Sequence, residues 1–174
     1  RGNPVRARSS VLTRKSSFAP FVAPDTRLLV LGSLPGEESL RARRYYAHPR
    51  NLFWRLVGKA IGREIEPLDY EARVAALREA KVGLWDTIAS ARREGSLDAA
   101  IRAIEHNPLA ELAASLPDLR AVAFNGAKAA RIGTKLLAEC GVEPVPLPSS
   151  SPAHAAMSVA EKERLWRGLS KFLR

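Results

Sequence analysis

The chain is short of cysteine, histidine and acid. A single cysteine, Cys140, among 174 residues excludes an internal disulfide and any metal site built from cysteines; it reads as a half-buried residue at a helix end. Three histidines, His48, His106 and His154, have no ligand spacing between them, so neither a zinc site nor any other cofactor is expected. No apolar run approaches the roughly 20 residues needed to cross a bilayer, and the opening residues lack the apolar centre of a secretory signal. A nucleophile elbow is missing, because Gly32-Ser-Leu-Pro-Gly36 carries its serine in second position. So is a phosphate loop ending in Gly-Lys-Ser/Thr. A reducing, cytoplasmic setting, such as a bacterial cytoplasm or nucleoid, fits these absences.

What is present is a globular composition with a strong positive bias. Hydrophobic residues make up 46%, enough for one domain with a proper core. The formal net charge is +10, from 28 basic against 18 acidic residues, which draws a domain of this size toward a polyanion such as nucleic acid. Residues 1–17, with Arg1, Arg6, Arg8, Arg14 and Lys15 and no acid, read as a flexible basic tail. Residues 18–174 are expected to form one domain, and the protein to be a monomer.

Strands alternate with helices along that domain. Leu28–Leu31 is an unbroken apolar run of the buried, parallel-sheet kind. Asn51 is placed to cap a helix running to about Ile61, and Asp69 a second one. Val82–Trp85 reads as a second strand, Leu119–Phe124 as a third and Val142–Leu147 as a fourth. Ser96–Glu105 and Pro108–Leu116 read as short helices, the latter capped by Asn107. Ser158-Val-Ala-Glu161 is a capping box opening a last helix with Leu165, Trp166, Leu169 and Phe172 turned inward. The pattern predicts an α/β fold: a three-layer α/β/α sandwich around a four-stranded, mainly parallel sheet.

Ligands in such sheets sit at the carboxyl ends of the strands. Here those ends carry Gly32 to Gly36, Asp86-Thr87, Asn125-Gly126 and Leu147-Pro-Ser-Ser-Ser-Pro-Ala-His154. The run Tyr45-Tyr-Ala-His-Pro-Arg-Asn-Leu-Phe-Trp54 follows the first of them. Glycines allow close backbone approach, aromatics offer a stacking face, and few groups ionise. This is a pocket for a flat polar ring, with dipoles fixed to stabilise developing charge.

Gly-x-x-Pro-Gly followed by Tyr46-Ala-His-Pro-Arg-Asn-Leu-Phe-Trp54 resembles the uracil-DNA glycosylase superfamily, in particular its mismatch-specific and hypoxanthine (deoxyinosine) branches. Leu147-Pro-Ser-Ser-Ser-Pro-Ala153 is similar to the second motif of the hypoxanthine branch, and Gly83-Leu-Trp-Asp-Thr87 and Phe124-Asn-Gly126 to its other strand ends. The resemblance implies a monofunctional enzyme of base excision repair that flips deaminated bases, uracil or hypoxanthine, out of DNA and hydrolyses their N-glycosidic bond. Two departures stand out. Leu34 occupies the position of the water-handling Asp or Asn, and Leu147 that of the leading His or Asn of the second motif. The resemblance therefore places catalysis on Asn51 and Asn125. It implies base contacts from Gly32, Ser33, Leu34, Tyr46 and Asp86, and DNA contacts from Arg50, Ser149, Ser150, Ser151 and His154. No lysine lies in these motifs, so a Schiff-base mechanism is not expected. Two alternatives stay open: a catalytically weak nucleic-acid-binding module, which Leu34 favours, and a nucleoside hydrolase, which the basic charge disfavours.

Overall fold

A computed structural model of the chain describes residues 14–174. In chain order its elements are β1 (Arg14–Ser16), β2 (Leu28–Gly32), α1 (Glu37–Ala42), α2 (Phe53–Ile61), α3 (Tyr70–Glu79), β3 (Val82–Asp86), β4 (Ile88–Arg92), β5 (Arg102–His106), α4 (Leu109–Ala114), β6 (Ala121–Asn125), α5 (Ala127–Leu136), β7 (Glu143–Leu147) and α6 (Val159–Arg167).

Four strands form a parallel sheet in the order β3-β2-β6-β7. Every residue of β2, β3 and β6 is buried, which is why these strands read as continuous apolar runs. Alternation along β2 separates two cores. Leu28 and Val30 join Leu84, Ala121 and Ala123 beneath Phe53, Leu56, Val57, Leu77 and Trp166 of α2, α3 and α6. Leu29 and Leu31 join Trp85, Val122 and Phe124 beneath Leu109, Ala113, Ala129 and Leu137, on the side of α4 and α5. The sheet is thus the middle of three layers, as the sequence pattern predicts.

Local chemistry sets the helix limits. Leu52, not Asn51 as expected, occupies the N-cap of α2; the Asn51 side chain, one residue earlier, accepts the Phe53 N–H at 2.9 Å, and α2 ends at Gly62, whose φ is +70°. Asp69 accepts the Ala72 N–H and Ser158 the Glu161 N–H. The second half of the Ser158 box is not made, because Glu161 pairs with Arg164 instead. Trp166, fully buried on α6, also donates to the Pro148 carbonyl at 3.2 Å. Truncating it to alanine would cost roughly 3–5 kcal/mol.

The sequence reading needs correction in the region around the second strand end. A second, antiparallel sheet, β1-β4-β5, lies beside the first. Arg14–Ser16, expected within the tail, is its edge strand, and Lys15 pairs with Glu37 at the start of α1; residues 1–13 of the expected tail lie outside the described residues. The expected helix at 96–105 is instead a 3-10 turn, Asp98–Ala100, followed by β5. Strand pairing outweighs helix propensity here, because β4 and β5 together bury Ile88, Ala91, Ile101 and Ile104 around Leu34. Asn107 does not cap α4. Its side-chain amide donates to the Asp86 carbonyl at 2.8 Å and to Ser17 at 3.0 Å, tying the small sheet to the end of β3. Among the described residues no helix is long and apolar enough to cross a membrane.

Candidate active site

The carboxyl ends of β2, β3, β6 and β7 converge on a cleft of about 740 Å³. Gly32, Ser33, Leu34, Tyr46, Asn51, Asp86, Asn125, Ser149, Ser150, Ser151 and His154 all line it, so the structure brings together all but one of the residues expected there. The exception is Arg50, which is exposed and absent from the lining; its N–H donates to His48 Nδ1 at 3.1 Å.

At the floor, Gly32 explains itself by close approach. A Cβ there would lie 2.8 Å from Asp86 Oδ1 and 3.1 Å from the Tyr46 hydroxyl, so any larger residue would displace both groups. Asp86 is buried, and its Oδ2 has no hydrogen-bond partner among the described residues. Burial and the nearby Asp98 push its carboxyl up to about 7, against the opposing pull of Arg93. The Tyr46 hydroxyl is likewise buried without a partner. One face of the Tyr46 ring stacks on Phe53, with centroids 3.8 Å apart and planes 17° apart, which leaves the other face for a ligand. Tyr46 holds φ at +53°, a conformation unfavourable for a bulky residue by about 1–2 kcal/mol. Trp54 fixes it there by donating to the Tyr46 carbonyl at 3.1 Å.

The first loop is committed on its outer side. The Ser33 hydroxyl donates to Asp98 at 2.6 Å and the Ser33 carbonyl accepts from Ile88 at 3.0 Å. Buried Arg93 donates to the Leu34 and Pro35 carbonyls and to the Gly95 carbonyl. Leu34 packs with Ile88, Ala91 and Ile101. Its side chain is thus an apolar anchor for the loop, and it offers nothing to a water molecule.

The second loop is braced from the sheet and from α6. Asn125 makes a two-point contact with Ser150: its Nδ2 donates to the Ser150 hydroxyl and its Oδ1 accepts the Ser150 N–H, both at 2.8 Å. One Nδ2 hydrogen remains beyond that pair. Gly126, at φ +104°, turns the chain so closely past Ser149 that a Cβ would sit 3.3 Å from the Ser149 Cβ. Buried Lys162 donates to the Ser149 carbonyl at 2.8 Å and to the His154 carbonyl at 2.6 Å. His154 Nδ1 is buried without a partner among the described residues.

Three features escape a motif-by-motif reading. Arg93 and Lys162 lie outside every motif, and nothing in their neighbours signals that they would be buried. Lys128 and Arg131, on the first turns of α5, also line the cleft, so a lysine does reach the site. The signal for them was present in the Lys/Arg-bearing helix that directly follows Asn125-Gly126. Glu37, at the cleft mouth, is engaged by Lys15. Among the described residues no three His, Cys, Asp or Glu side chains cluster as metal ligands would.

A cleft lined by polar and aromatic side chains thus lies across the strand ends of a three-layer α/β/α domain. The chain belongs to the uracil DNA glycosylase superfamily, whose family model matches residues 19–170. It is 40% identical over 155 residues to a hypoxanthine DNA glycosylase of Methanosarcina acetivorans, covering 89% of this chain and 97% of that one. Over 141 residues it is 40% identical to a hypoxanthine DNA glycosylase of Methanosarcina barkeri, covering 81% and 89%. A solution NMR structure from M. acetivorans, described provisionally as a uracil DNA glycosylase, superposes with a TM-score of 0.83 at 39% identity, covering 92% and 99% of the two chains.

Proposed function

We propose that this protein is a monofunctional DNA glycosylase that excises deaminated bases, hypoxanthine and uracil, and leaves an abasic site. The observation carrying this reading is the group of buried polar atoms, on residues that line one cleft, without partners among the described residues: Asp86 Oδ2, the Tyr46 hydroxyl and His154 Nδ1. Buried polar atoms are nearly always satisfied, so the three together call for a polar ligand at this place. A base stacked on the free face of Tyr46 has its edge within the zone of Asp86, the amides of the first loop and the remaining Asn125 hydrogen.

Duplex DNA hides the glycosidic bond, so the nucleotide rotates out before reaction. Ser149, Ser150 and Ser151 hold the backbone through hydroxyl and amide donors, with positive charge from Arg50, Lys128 and Arg131 and a contact from His154. As the C1′–N bond breaks, its electron pair leaves with the base, and positive charge develops on the sugar. Donors fixed at the base edge stabilise that anion, each worth about 3 kcal/mol when well placed. Asp86, near half-protonated at neutral pH, can donate a proton to the departing base. Asn51 keeps one lone pair of Oδ1 and its NH₂ group beyond the bond to the Phe53 N–H, and these orient water onto C1′. Leaving-group departure well ahead of water attack removes the need for a strong base where Leu34 stands.

The competing reading is a catalytically weak nucleic-acid-binding module, favoured by the apolar packing of Leu34. Oligonucleotides carrying a single hypoxanthine, uracil or xanthine, incubated with excess protein and then treated with alkali, separate the two. Strand breaks at hypoxanthine and uracil are expected. No break with any of the three would remove the glycosylase reading.

A further inference from the structure

The acids that line the cleft, Glu37, Glu38, Asp86 and Asp98, fall into two pairs with different surroundings. Glu37 and Glu38, on α1, each have a cation, Lys15 for the first and Arg41 for the second. Asp86 and Asp98 have none at ion-pair distance among the described residues. The cation nearest to serving them, Arg93, is buried close by, yet its donors go to the carbonyls of Leu34, Pro35 and Gly95. A chain with 28 basic residues does not leave two carboxyls unneutralised for want of cations.

The two aspartates address consecutive residues of the first loop. Asp86 stands opposite Gly32 in the sheet register, with Oδ1 2.8 Å from where a Gly32 Cβ would lie. Asp98 accepts the Ser33 hydroxyl at 2.6 Å. Asp86 is buried, with Oδ2 unpartnered among the described residues, whereas Asp98 is half-buried at the start of a 3-10 turn. The serine hydroxyl and access to water favour the charge on Asp98; the dry floor favours the proton on Asp86. Two carboxyls pushed apart in this way divide the roles of acid and fixed charge. Resting on the glycosylase reading, the geometry points to Asp98 as a positioning residue for base release: its negative charge keeps the proton on Asp86 until the departing base takes it, and its bond to Ser33 steadies the loop beneath that base. The C1′–N electron pair leaves with the base, which takes the Asp86 proton. Water adds to C1′, and the proton it gives up restores the Asp86 carboxyl. Asp98 neither gains nor loses a proton. Tyr45 and Tyr46 also face Asp86, and burial pushes both hydroxyls up, so they stay neutral. His48, His154, Lys128 and Arg131 line the same cleft.

The test follows the Asp86 carboxyl by carbon-13 NMR, and single-turnover excision of hypoxanthine from a duplex, as functions of pH. Asp98→Asn keeps an oxygen for the Ser33 hydroxyl and removes the charge. The Asp86 midpoint should fall by about one pH unit, the scale of one nearby charge. Excision by Asp98→Asn should match wild type within about threefold at pH 5 and be about tenfold slower at pH 8, where less Asp86 holds its proton. In an Asp86→Asn background, Asp98→Asn should add no pH dependence. An unmoved midpoint would overturn the role of Asp98 and leave the glycosylase reading intact. So would a loss of rate equal at both pH values, which would mark Asp98 as a support for Ser33 alone. A break near pH 7 that survives Asp86→Asn would belong to His48 or His154 and would overturn it as well. Wild-type protein that releases no base, while the midpoint still falls in Asp98→Asn, would overturn the glycosylase reading and the role in base release with it, but not the coupling of the two carboxyls.

Discussion

The two loops that wall the cleft are built on the same device and embedded in different surroundings. In each, a buried cation with no carboxylate at hydrogen-bond distance among the described residues holds backbone carbonyls: Arg93 for Leu34 and Pro35, Lys162 for Ser149 and His154. Lys162 belongs to α6, which also supplies Trp166 to the larger core, so the second loop shares the stability of the whole domain. Arg93 belongs to the segment after β4, whose apolar support is the small cluster of Leu34, Ile88, Ala91 and Ile101. The first loop therefore depends on a satellite of the fold. The contrast separates what keeps the protein folded from what keeps the base site shaped.

The sharpest way to break that contrast is to remove each cation. Hydrogen bonds to charged groups are worth roughly 1.5–3 kcal/mol each, and the carbonyls left behind stay desolvated. Arg93→Met should lower excision at least a hundredfold with a fall of only a few degrees in thermal midpoint, because the opening is local. Lys162→Met should do the reverse, with a larger loss of midpoint and a smaller loss of activity per folded molecule. Arg93→Lys should not rescue, since one ammonium cannot reach the carbonyls that a planar fork serves. Similar effects of both cations on stability and rate would show that the loops form one unit.

Next in size is Asn51, where the hydrogen bond to the first N–H of α2 and the chemistry overlap. Asn51→Ala removes both, so single-turnover excision should fall at least tenfold and stability by about 1 kcal/mol. Asn51→Asp keeps the accepting oxygen and loses the amide NH₂ group; it should recover the stability and change the rate. Wild-type rates in Asn51→Ala would confine the residue to its bond with the start of α2.

What could be read from the sequence follows from how local each signal is. The ends of β2, β3 and β6 were legible because a buried parallel strand is a continuous apolar run, and the Gly, Asp or Asn ending it is visible within five residues; β7, largely exposed and broken by Pro144 and Pro146, was legible from the Pro-Ser-Ser-Ser run that follows it. The caps at Asp69 and Ser158 are equally local. The small sheet was not legible: Arg102–His106 mixes two charges and a histidine with Ala103 and Ile104, and its strand character comes from pairing with β4. The same holds for Asn107, whose partners, Asp86 and Ser17, are 21 and 90 residues away. Leu34 was legible as a departure, but its cause, the cluster that anchors it, required the tertiary structure.

Asp86 offers a smaller effect, read through pH. Its folded carboxyl is held up to about 7 against an ordinary value of 3.8, so the folded state binds this proton more tightly. Stability from the neutral group is intact below about pH 4, declines between there and about 7, and is lost above. Asp86→Asn should therefore raise the thermal midpoint at pH 8, by on the order of 4 kcal/mol in stability, and do much less at pH 4. Excision by the variant should lose any break near pH 7 that wild type shows. An equal stabilisation at both pH values would mean that burial of the carboxylate is not what Asp86→Asn relieves.

Lys128 is expected to give the smallest effect, and a null result is the informative part. A lysine lining a glycosylase cleft could attack C1′ and form an imine, the route to strand cleavage, or it could serve only as charge near phosphate. Its place in the first turn of α5, lining the cleft with Arg131 and the Ser149–Ser151 loop, favours the second role. Borohydride added during turnover should then trap no protein–DNA adduct. Lys128→Ala should weaken DNA binding alike for damaged and undamaged duplexes and lower the slope of log affinity against log salt by about 1. A trapped adduct that vanishes in Lys128→Ala would move the chemistry of the first loop onto α5. The Ser149–Ser151 side of the cleft, a support in the comparison of the two loops, would then become a reacting surface.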